Sequence, residues 1–68
     1  MTITSMTTVG HVSTVTCAAI SGESPTVGQS TAHGGLVVAV QGSTVTVTAS
    51  DDLATRIRDG LLTLALEG

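Results

Sequence analysis

Residues 44–49 alternate without a break. Val45, Val47 and Ala49 fall on one side, and Thr44, Thr46 and Thr48 on the other. A period of two predicts a strand with one buried face. The run before it, Leu36-Val37-Val38-Ala39-Val40, is apolar at every position, which predicts a strand covered on both faces. Gln41-Gly42-Ser43 reads as the turn between them, with Gly42 free to take a positive φ. Together the runs predict a β-hairpin over residues 36–49.

The pattern then changes period. Ser50 resembles a helix N-cap, and Asp51 and Asp52 stand in the first turn, where the helix dipole favours negative charge. Leu53 and Ile57 are four apart and share a face with Ala54 beside them, a stripe that reads as core. Arg56 and Arg58 fall in the last turn and Gly60 in the terminating position, so the helix spans about 51–59. A helix this short must dock on the hairpin to form. Residues 61–66 are a continued helix or a terminal strand, and the stop signals at Gly60 favour the strand. In it Leu62, Leu64 and Leu66 point one way and Leu61, Thr63 and Ala65 the other.

The first half is less regular. Val12 to Ile20 alternates in part and predicts a strand; Thr and Val suit the pleated surface. Ile3 to Val9 is a weaker candidate, so residues 1–10 are an N-terminal arm or edge strand ahead of a single small domain, 11–68. Residues 21–35 read as a long loop, broken by Gly22, Pro25, Gly28, Gly34 and Gly35. The expected fold class is mostly β with one short α-helix (α+β).

Composition sharpens this. The chain has 68 residues and no aromatic residue, so Val, Leu, Ile, Ala and Met must supply the core. A domain this small hides only about 60 % of its unfolded surface. One cysteine excludes an intrachain disulfide, which leaves a metal or a protein neighbour as the usual reinforcement. A multi-step enzyme with its own buried pocket is close to excluded, and no enzymatic activity is expected.

Charge excludes more. Five acids oppose two arginines, and there is no lysine. The basic footprint of a nucleic-acid binder is absent, as are aromatic platforms for single strands. No apolar run is long enough to span a membrane. Met1 to Gly10 lacks the basic and long apolar regions of a signal peptide, and a lone cysteine fits a reducing cytoplasm or a particle assembled there. The first 50 residues carry one charge, Glu23, and the other six follow. Such a surface suits permanent contact with protein better than solvent. Residues 1–10 and 21–35 are the expected contact segments, with Ile3, Met6, Val9, Pro25 and Val27 as contact residues.

Candidate chemistry is sparse. His11, Cys17 and His33 are the only soft metal ligands in the chain. Zinc takes four ligands, and structural sites show closely paired ones. His11 and Cys17 are six apart on one expected strand, about 20 Å if extended. They read as two loop histidines and a buried thiol, and no metal is expected from spacing alone. No nucleophile motif accompanies Cys17. His33-Gly34-Gly35 precedes a strand rather than a helix, so no phosphate cradle forms there. Asp51 and Asp52 read as dipole complements rather than a cation site.

Two resemblances follow. Residues 35–68 resemble small structural proteins from the head-gene clusters of tailed bacteriophages, which carry a short hairpin, a helix with widely spaced Asp, Ala and Leu/Ile, and a short strand. Asp51, Ala54, Ile57, Gly60 and Leu61 carry the spacing here, shifted by one at the glycine. The resemblance implies a virion protein without enzymatic activity. It would be a capsid decoration (cement) protein that binds the major capsid protein or another virion protein. It would act as a homo-oligomer, with a trimer favoured, on the capsid surface after assembly in the host cytoplasm. Residues 27–49 are similar to the PAAR-type spike-tip family. Val27, Gly28, His33, Gly34, Gly35, Gly42, Ser43, Val45 and Val47 match it, but once rather than as a repeat, and Gln29 replaces the usual aspartate. This second resemblance implies the alternative: a zinc-binding tip of a contractile tail, with His33 as ligand and His11 and Cys17 as companions.

Overall fold

The computed structural model describes residues 1–67. Its strands are β1 (Thr2–Val9), β2 (Val12–Ala18), β3 (Ser30–Thr31), β4 (Gly35–Gln41) and β5 (Thr44–Ala49), and its helix is α1 (Asp51–Arg58). They form one antiparallel sheet in the order β1-β2-β5-β4-β3. The fold is mostly β with one short helix, as the patterning predicts. Residues 1–10 take the strand form of the two expected for them. Val9 and Val12 close a tight hairpin around Gly10, whose φ of 61° a side chain would strain.

Register follows the alternation. Val15 of β2 pairs with Val47 of β5, and Val47 with Val37 of β4; Cys17 pairs with Val45. All five are buried in one core cluster with Leu53 of α1 and Leu64. The threonines between them turn to the opposite face, which no second layer covers. Two bulges interrupt the ladders, one between Ile3 and Ser5 and one between Val37 and Ala39. A bulge sharpens the twist and bends the strand.

The helix ends are fixed as the sequence predicts. Ser50 Oγ accepts the Leu53 amide at 3.1 Å and donates to the His33 carbonyl at 2.6 Å. One hydroxyl thus caps α1 and ties it to the short 3-10 turn Ala32–Gly34. At the other end the Leu61 amide bonds to Arg56 O and the Gly60 amide to Ile57 O, with Gly60 at φ 116°. That is a Schellman ending, which leaves the chain free to turn away from the helix axis. Leu53 and Ala54 are buried and Ile57 packs on the core, so the stripe is core as expected.

Residues 61–67 close the structure. The Ile3 amide donates to Leu62 O, and Met1 and Leu64 exchange both backbone bonds through the Met1 amine and the Leu64 amide, each 2.8 Å. On the other side the Ala32 amide donates to Ala65 O and the Glu67 amide to Ser30 O, both within 2.9 Å. The segment is extended and hydrogen-bonds to both outer strands, bridging Thr2 to Thr63 and Thr31 to Leu66. It turns a five-stranded sheet into a small partly closed barrel. Leu64 drops into the interior beside Met1, which is 4 % exposed.

The structure corrects three expectations. The terminal segment pairs at two points rather than along 61–66, and Leu62 points to solvent instead of sharing a face with Leu64. It crosses from one outer strand to the other, so no single neighbour holds it in a regular ladder. The loop 21–35 is shorter than expected, because β3 and the 3-10 turn occupy its end. Finally, β4 is not covered on both faces: of its apolar run only Val37 is buried. With α1 on one side and nothing on the other, only inward positions are covered.

Gly35 marks the tightest point. A Cβ there would meet Thr31 Oγ1 and come within 2.9 Å of both Leu53 Cδ2 and Val47 Cγ1. Its backbone is ordinary extended chain at φ −87°, so the constraint is space alone. Gly35→Ala should therefore destabilise the fold by about 1–3 kcal/mol, read as a lower urea midpoint. Leu64→Ala should cost about 2–5 kcal/mol in the same measurement, because the cavity would open where the barrel is closed.

Candidate interaction surface

The outward residues of four strands form a grid. In one row Thr2, Ala18, Thr44 and Gln41 stand side by side; in the next Ser5, Thr16, Thr46 and Ala39; in the third Thr7, Thr14, Thr48 and Leu36. Neighbours across strands are about 4.8 Å apart and alternate residues along a strand about 6.7 Å. No member of the grid is charged. β-branched threonines hold their χ1 angles stiffly, so the surface offers hydroxyls and methyls with little rotamer freedom to lose on contact. Thr4, in the β1 bulge, bonds inward to Thr16 O at 2.9 Å, and Thr48 Oγ1 to Leu36 O at 3.4 Å.

Two strand edges border this face. Beyond Ile3, β1 pairs only with β2; beyond Val37, β4 pairs only with β5. Among the described residues, Ser5–Val9 and Val38–Gln41 thus have no strand on their other side.

Charge sits elsewhere. Asp51, Asp52, Arg56 and Arg58 belong to α1, with Asp59 and Glu67 after it. Asp52 and Arg56 pair at 3.1 Å one turn apart, an exposed contact worth a few tenths of a kcal/mol. Glu23 reaches back to the chain start: its carboxylate accepts the Ile20 amide and the Met1 amine, each at 2.9 Å. The Ile20 amide, then the ammonium, hold this carboxyl below its ordinary range.

The expected contact residues divide. Val9 and Val27 are exposed. Pro25 is half-buried, and Ile3 and Met6 turn inward to pack on the core. Residues 1–10 are therefore built into the barrel, with Met1 inside it, and are not a detachable arm.

The three soft donors are not brought together. His11 is exposed in the β1–β2 turn, Cys17 lies inside the core, and His33 is exposed in the 3-10 turn. Among the described residues no three His, Cys, Asp or Glu side chains stand where they could hold a metal ion. Burial pushes the Cys17 thiol up, disfavouring the thiolate a metal would need. The donor set does not fit zinc.

Among the described residues, His33 is the one non-glycine residue with a positive φ, 65°. Its Nδ1 is 4.0 Å from Asp52 Oδ2, and Ser50 is beside it. This is not a nucleophilic arrangement, because Ser50 Oγ donates to the His33 carbonyl rather than to its ring. The described residues enclose no pocket, and no helix is long and apolar enough to cross a membrane.

Sequence reasoning missed Leu36, Val38 and Val40 as surface residues. Their signal, an unbroken apolar run, is the same one that marks a strand covered on both sides. Compared with known proteins, the chain matches no family model, no curated protein and no solved structure.

The Glu23 contact predicts a pH response. A carboxyl with a depressed folded pKa contributes stability that is fully present above its unfolded value, about 4.3, and lost as pH falls through the folded one. Glu23→Gln should lower stability at pH 7 and lower it less at pH 3, because protonation of the wild-type carboxylate removes its contribution progressively as pH falls. Urea unfolding of both proteins at the two pH values checks this; an equal loss at both would show that the charge is not what stabilises the contact.

Proposed function

We propose that this protein is a non-enzymatic structural component of a virion: a capsid decoration protein that self-associates and braces the phage head from outside. The observation that carries the reading is the uncharged outer sheet face, continuous over four strands. A solvent-facing sheet ordinarily mixes both charge signs among its outward residues. Here the outward positions are Thr, Ser, Ala, Gln and Leu, while all seven charged residues are Glu23 or follow Ser50. The resemblance of residues 35–68 to phage head proteins points the same way. The zinc-dependent spike-tip alternative gains no comparable support, since its donors lie apart.

The mechanism is additive burial. Each contact removes apolar area from water at about 25 cal/mol per Å². A partner strand or loop laid on the grid would bury threonine methyls and satisfy their hydroxyls together. An oligomer engages several capsid sites at once, so weak single contacts sum to stable attachment. The partner would be the major capsid protein or another virion protein, with no nucleic acid or membrane involved.

The reading is tested on virions from the source of the sequence. Mass spectrometry should find the chain in stoichiometric amounts with capsid protein. Thr46→Lys, in the middle of the grid, should lower occupancy by about tenfold while changing folding stability by less than about 1 kcal/mol. Absence of the chain from purified particles would overturn the proposal.

A further inference from the structure

We propose that the free edge of β4, Val38–Gln41, pairs antiparallel with the same edge of a second copy, about a two-fold axis. This deepens the assembly reading and rests on it. It names the surface through which copies of the chain meet.

β3 covers β4 only at Gly35 and Leu36, and Gln29 and Gly28 carry the pairing one residue further, through the Val37 amide and carbonyl. From Val38 onward the outward amides and carbonyls have no strand beside them among the described residues. Such an edge is a template for another strand. An antiparallel edge is also its own complement: turned by a two-fold axis, it presents donors to acceptors and acceptors to donors.

The side chains of this edge are apolar up to Val40. Leu36, Val38 and Val40 are 43 %, 40 % and 37 % exposed, although their run has the composition of a strand covered on both faces. Val27, 65 % exposed, precedes the Gly28 amide that bonds to Val37 O. Leu36 pairs with Thr48 on the outer face, Val40 with Val45 on the inner one, and Val38 is the bulge between them, so this edge lacks cover on both sides. A second copy would supply it, because each brings the same set. A standard interface takes about 800 Å² per partner, roughly a fifth of this chain's 3977 Å². Four paired residues alone do not reach that, so the flanking Leu36 and Val27 must also be buried.

Exposed edges are normally protected by lysine, inward charges or proline. Val38–Gln41 has none of these, and its one protective feature is the bulge at Val38. Ala39, Val40 and Gln41 return to register with β5. No charged residue lies on β4 or β5, so strand pairing along Val38–Gln41 itself brings no like charges together; Glu67 is held beside β3, its backbone bonded to Ser30 and Gln29. The free edge of β1 differs. Arg58 Nη2 donates to Thr8 Oγ1 at 3.2 Å, so two copies meeting there would bring two arginines together. That asymmetry selects β4.

The test is sedimentation equilibrium and native mass spectrometry over a concentration series. It uses the wild type, Val38→Lys, and Leu62→Lys as an exposed apolar control on the tail segment that hydrogen-bonds to β1. Hydrogen exchange at residues 38–41 is measured at low and high concentration. The wild type should be a dimer that Val38→Lys weakens by about tenfold or more and Leu62→Lys leaves intact. The amides of 38–41 should gain protection as concentration rises, a readout that holds even if Val38→Lys fails to fold. A trimer or dimer with concentration-independent exchange at 38–41 would overturn the edge pairing and leave self-assembly standing. A monomer at every concentration that still occupies virions would overturn the pairing but not the decoration role. A monomer absent from virions would overturn both.

Discussion

A sheet of valines and threonines without a single aromatic ring cannot bury enough by itself, and everything else in this chain follows from how that shortage is met. The inward valines need a cover. The sequence supplies it in two unequal pieces, an eight-residue helix and the extended tail behind it. The helix contributes Leu53 and Ala54, and the tail contributes Leu64. Neither piece is stable alone. Each is held by polar contacts at its ends: the Ser50 hydroxyl at one end of the helix, the Schellman bonds at the other, and the paired backbones of Met1 and Leu64 on the tail. In a larger protein these would be refinements. Here they position the few side chains that complete the interior.

The same shortage explains the crowding around Gly35. With only small apolar residues to pack, the layers come close. At Gly35, β4 lies so close to Leu53 and Val47 that a side chain would not fit. The adjoining turn takes two successive left-handed residues, His33 and Gly34, to bring the chain from β3 into β4 beneath the helix cap. The Ser50 hydroxyl holds that turn through the His33 carbonyl. A histidine in left-handed backbone is tolerable where a hydrogen bond fixes its peptide. The feature is therefore explained by chain geometry without any role for the imidazole.

Local periodicity made part of this legible. Thr44 to Ala49 and Ser50 to Gly60 each carry a full signal within their own length, and both elements are where the sequence places them. What was hidden depends on residues far apart in the chain. β3 is two residues long and exists because Leu36 and Gly35 lie on one side of it and Leu66 on the other. Met1 is buried because Glu23 and Leu64, 22 and 63 residues away, hold its amine. The tail has no period because it serves two strands in turn. The candidate surface was legible only in part. The threonine alternation announced an outward face, but Leu36 to Val40 reads as interior, and a sequence does not say which chain would cover it.

That ambiguity is informative about how such a chain is built. An apolar strand with no cover in its own fold would ordinarily be selected against as an aggregation hazard. It is tolerable when the exposed stretch is short and terminates in a turn, as at Gly42, so that pairing cannot propagate into a fibre. The charges gathered on α1 and after it leave the sheet face and the β4 edge uncharged. Placed on the sheet, the same charges would have cost little folding stability, since the outer threonines contribute little to the core. Their absence from it is thus not explained by what the fold needs.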